Sequence, residues 1–416
     1  MVGYRTHRLE NGLAVVTHEA YDIPLATVSL LYAVGSRNEN PQRTGFAHLF
    51  EHLMFGGTPE VPDFDAVVNS LGGESNAFTN CDYTNYYITL PVDGLATALH
   101  LEADRMAHLD ISKRALEVQQ QVVTEEYHQR YLSSPYGDVW LLLRPLCYRA
   151  HPYRWATIGA DIRHVGEATL DDVRDFHRRH YRPDNAILSI AAPLRHDEML
   201  QMASEAWQSA VSALPVRTDY SLSDLPVEPR QTERRELHVK REVPSTAIYL
   251  AWPMCDHRHP HFRACDLLTD LLASGKSSRL HQRLVLGSHL FTEANACITG
   301  DVDNGLLVLT GKLQPGIHPD EGADALRREA QCLADEGISD YELGKVQNRY
   351  ENTFVFSQYK AADRAMGLRY YTFLGQTDLI NREPEAYRQV TAEQMHEAAR
   401  EVFRPESENC LYYECQ

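Results

Sequence analysis

Two histidines and a glutamate lie together in the segment GFAHLFEHLMFGGT, residues 45–58. The segment has the apolar spacing of a helix and ends at two glycines, a common helix stop. On a helix, His48 and His52 point the same way, close enough for their ring nitrogens to bind one metal ion. Glu51 would lie beside them, within reach of a metal-bound water. A solvated polar face is the simpler alternative, but this grouping inside an apolar helix favours a metal site with an adjacent base.

A catalytic zinc ion needs a third protein ligand, because its fourth position is kept for water. The later helical segment EVQQQVVTEEYHQRY, residues 117–131, offers Glu125, Glu126 and His128. Helical periodicity does not choose among them, because apolar residues flank both glutamates. From the residues alone, either glutamate could equally be an ordinary surface carboxylate.

The elements around these residues alternate between strand and helix patterns. GLAVVTHE and LATVSLLYAVGS have strand character before the histidine segment, and SNAFTNCDYTNYYITLP returns to it afterwards. A long helical stretch begins at LATALHLEADRMAHL. The predicted fold class is therefore α+β, with two related domains, each a mixed, mostly antiparallel β-sheet with helices packed on one face.

The duplication is predicted from a pattern that restarts after a polar segment. Residues 213–235 are rich in Pro, Ser and charge, which is typical of a linker. The sequence from Pro24 can be laid over the sequence from Pro244 with one gap, although an accidental match of common patterns is the alternative. We therefore predict an N-terminal zinc-binding domain, residues 1–212, and a related C-terminal domain, residues 236–416, without zinc ligands.

The overlay also compares the polar cluster with its counterpart in the second copy. The aligned pairs are His48 with Leu267, Glu51 with Asp270, and His52 with Leu271. One copy carries the polar cluster and the other carries leucines. This contrast indicates that the cluster is not needed for the fold.

Composition excludes several classes of function. The 416 residues are 43% hydrophobic and 24% charged, with a formal net charge of −18, which argues against nucleic acid or an anionic membrane as a partner. No apolar run approaches the roughly 18 residues of a membrane span, and no signal-peptide pattern is seen. The eight cysteines are scattered, as in reduced proteins. We expect a cytoplasmic protein, or a periplasmic one if a signal peptide has been removed.

Several segments together resemble the pitrilysin/insulinase family of metallopeptidases, in its shorter processing-peptidase-like branch. They are GFAHLFEHLMFGGT with its inverted zinc motif H-x-x-E-H, LGGESNAFTNCDYTNYY, ADRMAHL, VVTEEYHQRYLSSPYG, HPYRWATIG and GKSSRL. The resemblance implies Zn²⁺ held by His48, His52 and Glu126, with Glu51 as general base. Glu126 ends the family's V-V-x-x-E pattern. Gln119 stands where the family has an acidic residue, which puts a supporting role at that position in doubt.

The resemblance also implies how a substrate is held. The edge of the strand in GGESNAFT would pair with an extended peptide through main-chain hydrogen bonds. Asn76 and Ala77 are the substrate-binding residues that this implies. The alternative is that both are ordinary strand residues after a Gly-Gly turn.

Two other groups of residues look chemically active at first sight. CDHRHPHFRAC contains Cys255, His257, His259, His261 and Cys265. Its Pro and Arg content and its place in the overlay predict an exposed loop rather than a physiological metal site. Cys81 is predicted to be a buried or idle thiol, not a nucleophile.

Active members of the family also use an Arg and a Tyr seven residues later to hold the substrate and the developing oxyanion. Counting from SSRL, these positions are Val285 and Thr292 here. We therefore predict the zinc-bearing subunit of a heteromeric endopeptidase that cleaves extended peptides or small unfolded proteins. Its partner would be a related subunit that lacks zinc ligands and supplies the Arg–Tyr pair. The alternatives are a structural or binding subunit of the same fold, and a self-sufficient homodimeric peptidase.

Overall fold

A computed structural model of the chain describes residues 1–208 and 225–416, so residues 213–224 of the predicted linker lie outside the described part. The strands are β1 (Arg5–Arg8), β2 (Ala14–Glu19), β3 (Leu25–Tyr32), β4 (Glu74–Thr79), β5 (Thr84–Pro91), β6 (Ala186–Ala192), β7 (Arg235–Arg241), β8 (Ala247–Pro253), β9 (Phe291–Ile298), β10 (Leu306–Leu313) and β11 (Asn409–Cys415). The helices are α1 (Phe46–Leu53), α2 (Phe64–Ser70), α3 (Leu95–His108), α4 (Lys113–Tyr127), α5 (Val139–Cys147), α6 (Arg163–Gly166), α7 (Leu170–His180), α8 (His196–Ala206), α9 (Phe262–Ala273), α10 (Pro319–Glu336), α11 (Asp340–Ser357), α12 (Ala361–Phe373), α13 (Leu379–Arg388) and α14 (Ala392–Val402).

The chain divides into two compact units. Unit 1 is formed by Met1–His128, Trp155–Leu225 and Val355–Arg382, and unit 2 by Gln129–Arg154, Pro226–Phe354 and Glu383–Gln416. The units are thus interleaved in sequence, whereas the predicted domains are continuous. The domain bounds of 1–212 and 236–416 stay a prediction.

The sheet of unit 1 has the strand order β1-β2-β6-β3-β5-β4. Only β2 and β6 pair in parallel, and every other neighbouring pair is antiparallel. In the centre of the sheet Leu30 of β3 lies opposite Tyr86 of β5, which sets the face of each side chain. This is the mixed, mostly antiparallel sheet that was predicted.

The sheet of unit 2 repeats this connectivity. Its order is β7-β11-β8-β10-β9, with β7 and β11 parallel and the remaining pairs antiparallel. Taken in chain order, these five strands occupy the same places as β2, β3, β4, β5 and β6 in unit 1. The repeated order confirms the predicted fold class of two related α+β domains.

A pair of glutamines marks equivalent helices in the two units. Gln120 of α4 donates its side-chain amide to the carbonyls of Val165, Gly166 and Ala168, at 2.8, 3.2 and 3.0 Å. Gln347 of α11 donates in the same way to Tyr387, Arg388 and Val390, at 3.1, 2.9 and 2.9 Å. Helix α11 is therefore the counterpart of α4.

Helices cover both faces of the sheet in unit 1. On one face, the Tyr86 hydroxyl donates to the Phe50 carbonyl of α1, and the Arg105 guanidinium of α3 lies 4.5 Å from the Tyr86 ring centroid. On the other face, Arg369 of α12 lies 5.4 Å from the ring centroid of Phe78. The helix layer predicted on one face is present, and α12 adds a second layer. This explains why β3 is buried along nearly its whole length.

Candidate metal centre

Helix α1 combines a core-packed face with a polar face. It begins after Gly45, whose φ of 89° lies in the left-handed region that favours glycine. Its buried residues are Phe46, Ala47, Leu49, Phe50 and Leu53. His48, Glu51 and His52 are half-buried on the remaining face, so the core-packing residues fix where these polar side chains point.

Helix α4 brings one glutamate towards α1, against which it packs. The helix is capped by Ser112, whose hydroxyl accepts from the amide of Ala115 at 3.2 Å, and it buries Val123. Glu125 is exposed, but the Glu126 side chain is only 16% exposed. The structure therefore separates the two neighbouring glutamates that periodicity left open.

His48, His52 and Glu126 form one compact group. Glu126 Oε2 lies 3.1 Å from His52 Nε2 and 3.6 Å from His48 Nε2. Donor atoms around a tetrahedral zinc ion with bonds of about 2.0–2.1 Å are about 3.3 Å apart. Two imidazole nitrogens and one carboxylate oxygen are also a donor set that catalytic zinc uses. Both the geometry and the chemistry of these three residues fit zinc.

Glu51 has buried tyrosines beside it. Burial is the main cause of the raised pKa values of Tyr86 and Tyr181, and the Glu51 carboxylate adds to both. The two hydroxyls are 3.4 Å apart and stay protonated at neutral pH. Sequence reasoning missed these tyrosines. Strand alternation in TNYYITLP indicates the face of Tyr86, but no local pattern connects it to Glu51.

The predicted substrate residues lie on strand β4, the last strand of its sheet. Within the described residues, β4 pairs with β5 alone, so its other edge is open. Ala77 lies opposite Tyr86 and thus on the α1 face of the sheet. Asn76 is on the opposite face, where it is exposed, and its Oδ1 accepts from the amide of Ala77 at 2.8 Å. Of the two, only Ala77 has its side chain on the face that α1 covers.

Unit 2 carries different side chains at the positions equivalent to His48, His52 and Glu126. Leu267 and Leu271 of α9 are fully buried, and Thr353 takes the place of Glu126 when counted from the matching glutamines. Asp270 accepts a hydrogen bond from the Ser274 hydroxyl. These residues do not fit a zinc ion, because carboxylate is the only usual zinc ligand among them.

The Cys- and His-rich segment CDHRHPHFRAC does not bring three ligand atoms together. Within the part of the chain that the structure describes, His48, His52 and Glu126 are the one group of three His, Cys, Asp or Glu residues with ligand atoms within 4.8 Å of one another. The prediction of an exposed loop is wrong for the end of this segment, because α9 begins at Phe262 and Cys265 is buried within it. His261 Nδ1 lies 3.2 Å from Glu401 Oε2. Cys81 is buried.

The positions expected to hold Arg and Tyr have local structural roles. Val285 packs against the core of unit 2, and the Thr292 hydroxyl donates to the Lys312 carbonyl at 3.2 Å. The two nearby arginines are engaged as well. Arg279 lies 2.7 Å from Glu342, and Arg283 lies 2.9 Å from Glu329. Both arginines therefore form ion pairs within unit 2.

None of the helices in the described part of the chain has the length and apolar character needed to span a membrane.

Comparison with known families matches both halves of the chain. The model for the insulinase family, peptidase family M16, matches residues 14–135. The model for the peptidase M16 inactive domain matches residues 167–350.

Individual relatives match over most of their length. Zinc protease PqqE of Helicobacter pylori is 30% identical over 390 residues, which cover 89% of this chain and 83% of that protein. An uncharacterized zinc protease of Streptomyces coelicolor is 26% identical over 370 residues, covering 84% and 76%. The crystal structure of a protease from Helicobacter pylori has a TM-score of 0.93 at 26% identity, with 100% of each chain covered.

Proposed function

The chain belongs to the insulinase family of peptidases, family M16, and on that basis we propose that it is a zinc-dependent endopeptidase acting on extended peptides or small unfolded proteins. The observation that carries the proposal is the convergence of His48, His52 and Glu126 to distances that suit a tetrahedral zinc ion. Two of its relatives are named zinc proteases, which supports the same metal and reaction class.

The side chains of α1 and α4 would have two roles, metal binding and proton transfer. His48, His52 and Glu126 would hold the zinc. When bound, the ion would lower the pKa of a water molecule towards neutrality and polarise the scissile carbonyl. Glu51, next to His52, would accept the proton of the attacking water and return it to the leaving amine.

The open edge of β4 supports an extended substrate. A peptide added as a further antiparallel strand would donate to and accept from the main chain of β4, largely independently of its side chains. Ala77 lies on the α1 face and contributes only a methyl group there, which leaves room for the scissile bond beside the metal ligands. Asn76 would contact the bound peptide from the opposite face of β4, at its exposed edge.

The residues at positions 285 and 292 of this chain favour a heteromer. An Arg–Tyr pair would donate to the carbonyl oxygen as negative charge develops on it. Val285 has no side-chain donor, and the Thr292 hydroxyl already donates to the Lys312 carbonyl. Arg279 and Arg283 form ion pairs with glutamates. We propose that a related subunit, without zinc ligands, supplies the pair.

The test of the proposed reaction is a comparison of wild type with Glu51→Gln, each assayed with the candidate partner on a quenched-fluorescent extended peptide. Glutamine keeps the size of the side chain but cannot take up the water proton. We expect both proteins to bind zinc equally, while hydrolysis by the variant falls by about 10²–10⁴-fold. Chelation should abolish wild-type cleavage and added zinc restore it. Full activity of a zinc-loaded variant would exclude Glu51 as the base.

A further inference from the structure

A buried carboxylate lies at the start of the metal-binding helix. Glu39 is 6% exposed and comes from the loop that follows β3. Its Oε2 accepts from the amide of Gly45 at 2.9 Å, and its Oε1 accepts from the amide of Ala47 at 2.8 Å. The indole N–H of Trp155 also donates to Oε2, at 3.1 Å. Both oxygens therefore act as acceptors.

These contacts replace a cap that α1 lacks. The first amides of any helix have no intrahelical acceptor, and the residue at the cap position usually supplies one from its side chain. Here that residue is Gly45, which has no side chain to offer. Glu39, which precedes Gly45 in the sequence, supplies the side-chain acceptor instead. Burial raises the pKa of the Glu39 carboxyl group to about 8, while the hydrogen bonds from Ala47, Gly45 and Trp155 favour its charged form.

The capped turn is held from a second side. A Cβ atom on Gly45 would lie 2.7 Å from the Ile158 carbonyl oxygen, so the segment after Trp155 packs directly on this turn. Trp155 donates to the Ser36 carbonyl, at 2.9 Å, as well as to Glu39. Glu39 accepts from the amide of Ala47, and Ala47 immediately precedes His48. Any shift of the carboxylate would therefore move the first ligand.

The counterpart helix without metal ligands starts differently. Helix α9 of unit 2 begins after His261, which makes no side-chain capping bond to its helix. His261 Nδ1 lies 3.2 Å from Glu401 instead. The amide of His261 donates to the His259 ring nitrogen at 3.1 Å. The helix that carries Leu267 and Leu271 thus starts at an imidazole acceptor rather than at the carboxylate that accompanies His48 and His52. This comparison links the capping carboxylate to the ligands rather than to the repeated fold.

We infer that Glu39 is a positioning residue for the metal centre, which fixes the orientation of His48 and His52 by binding the start of α1. The inference rests on the proposed zinc site. It predicts that loss of one acceptor atom at position 39 weakens metal binding more than it weakens the fold.

The experiment compares wild type, Glu39→Gln and Glu408→Gln. Glutamine retains the shape of Glu39 but turns an NH₂ group towards an N–H donor. We expect the dissociation constant for zinc to rise about tenfold in Glu39→Gln. In the cobalt-substituted protein, the ligand-field bands should shift, which reports ligand geometry independently of activity. Glu408 is a matched buried carboxyl group of unit 2, 2% exposed and paired with Arg327.

The control separates positioning from stability. Glu408→Gln should lower the melting temperature of the zinc-free protein while leaving zinc affinity and the cobalt spectrum unchanged. Zinc affinity of Glu39→Gln within twofold of wild type, with an unchanged cobalt spectrum, would overturn the inference and leave the proposed peptidase intact. If wild type itself bound no zinc, the proposed function would fail and the inference with it.

Discussion

The Nε2 atom of His52 lies 3.1 Å from Oε2 of Glu126, although the two residues come from different helices. Glu125, the neighbour of Glu126, is exposed on the same helix. A helix turns by about 100° per residue, so only one of two adjacent glutamates can face α1. The rotation of α4 about its axis therefore decides which carboxylate is available to a metal.

The first prediction tests that rotation. Glu126→Gln should weaken zinc binding by at least about tenfold, because a neutral amide replaces an anionic ligand. Glu125→Gln is the matched control and should bind zinc as wild type does. Competition with a chromophoric chelator gives both affinities. A loss in Glu125→Gln but not in Glu126→Gln would mean that the rotation of α4 is wrong.

The second prediction concerns stoichiometry. We expect one zinc per chain, because the equivalent residues in unit 2 are Leu267, Leu271 and Thr353. His52→Ala should lose the metal, while His128→Ala, which alters an exposed histidine just after α4, should keep it. Elemental analysis after gel filtration measures the zinc content of each protein. Equal zinc in wild type and His52→Ala would rule out the assignment.

The third prediction is a pH effect on stability. Burial lowers the pKa of His177 to about 4. The His177 ring stacks on the ring of Tyr181, with a centroid distance of 5.6 Å. In the unfolded chain this histidine would titrate near about 6.5. Between these values the unfolded state binds a proton that the folded state does not. The free energy of unfolding should therefore fall as the pH drops from about 6.5 to 4, by at most about 1.4 kcal/mol per pH unit from this residue.

Replacing the ring isolates this contribution. His177→Leu cannot take up the proton, so its stability should decline less steeply than that of wild type across the same window. Urea unfolding at several pH values measures both slopes. His177→Gln, which also cannot take up the proton but keeps a polar side chain, is the second variant and should show the same reduced slope. Parallel slopes for wild type and His177→Leu would show that His177 titrates normally.

How far the sequence predicts the site depends on how local each relationship is. The side-by-side arrangement of His48 and His52 follows from helical spacing within one segment. The choice of Glu126 needed the family resemblance, because apolar residues flank both glutamates and periodicity alone is ambiguous. The capping of α1 by Glu39 was not predicted, because a loop carboxylate carries no pattern that names a distant amide as its partner.

For the fold, too, local patterns were predictable and a contact between segments distant in sequence was not. Strand alternation and the repeated segment from Pro244 predict two related sheets, and the matched strand orders confirm them. The packing of α12 on the second face of the unit 1 sheet was not predicted, because that helix follows β7, β8, β9 and β10 of unit 2 in sequence. The continuous apolar run of β3 was a signal that both faces are covered, but it does not identify the helix that covers the second one.

The last prediction concerns the partner subunit. Losing one donor to the developing oxyanion typically costs about 10²–10³ in rate, so the isolated chain should be nearly inactive on a quenched extended peptide even with zinc bound. A related subunit with Arg and Tyr at the positions of Val285 and Thr292 should restore cleavage when added in equal amount. The same subunit with that Arg changed to Ala is the control, and it should associate with this chain without restoring cleavage. Gel filtration of each mixture verifies that association. If the isolated zinc-loaded chain cleaves the peptide at a rate that the partner does not raise, the heteromer is wrong and a self-sufficient homodimer takes its place.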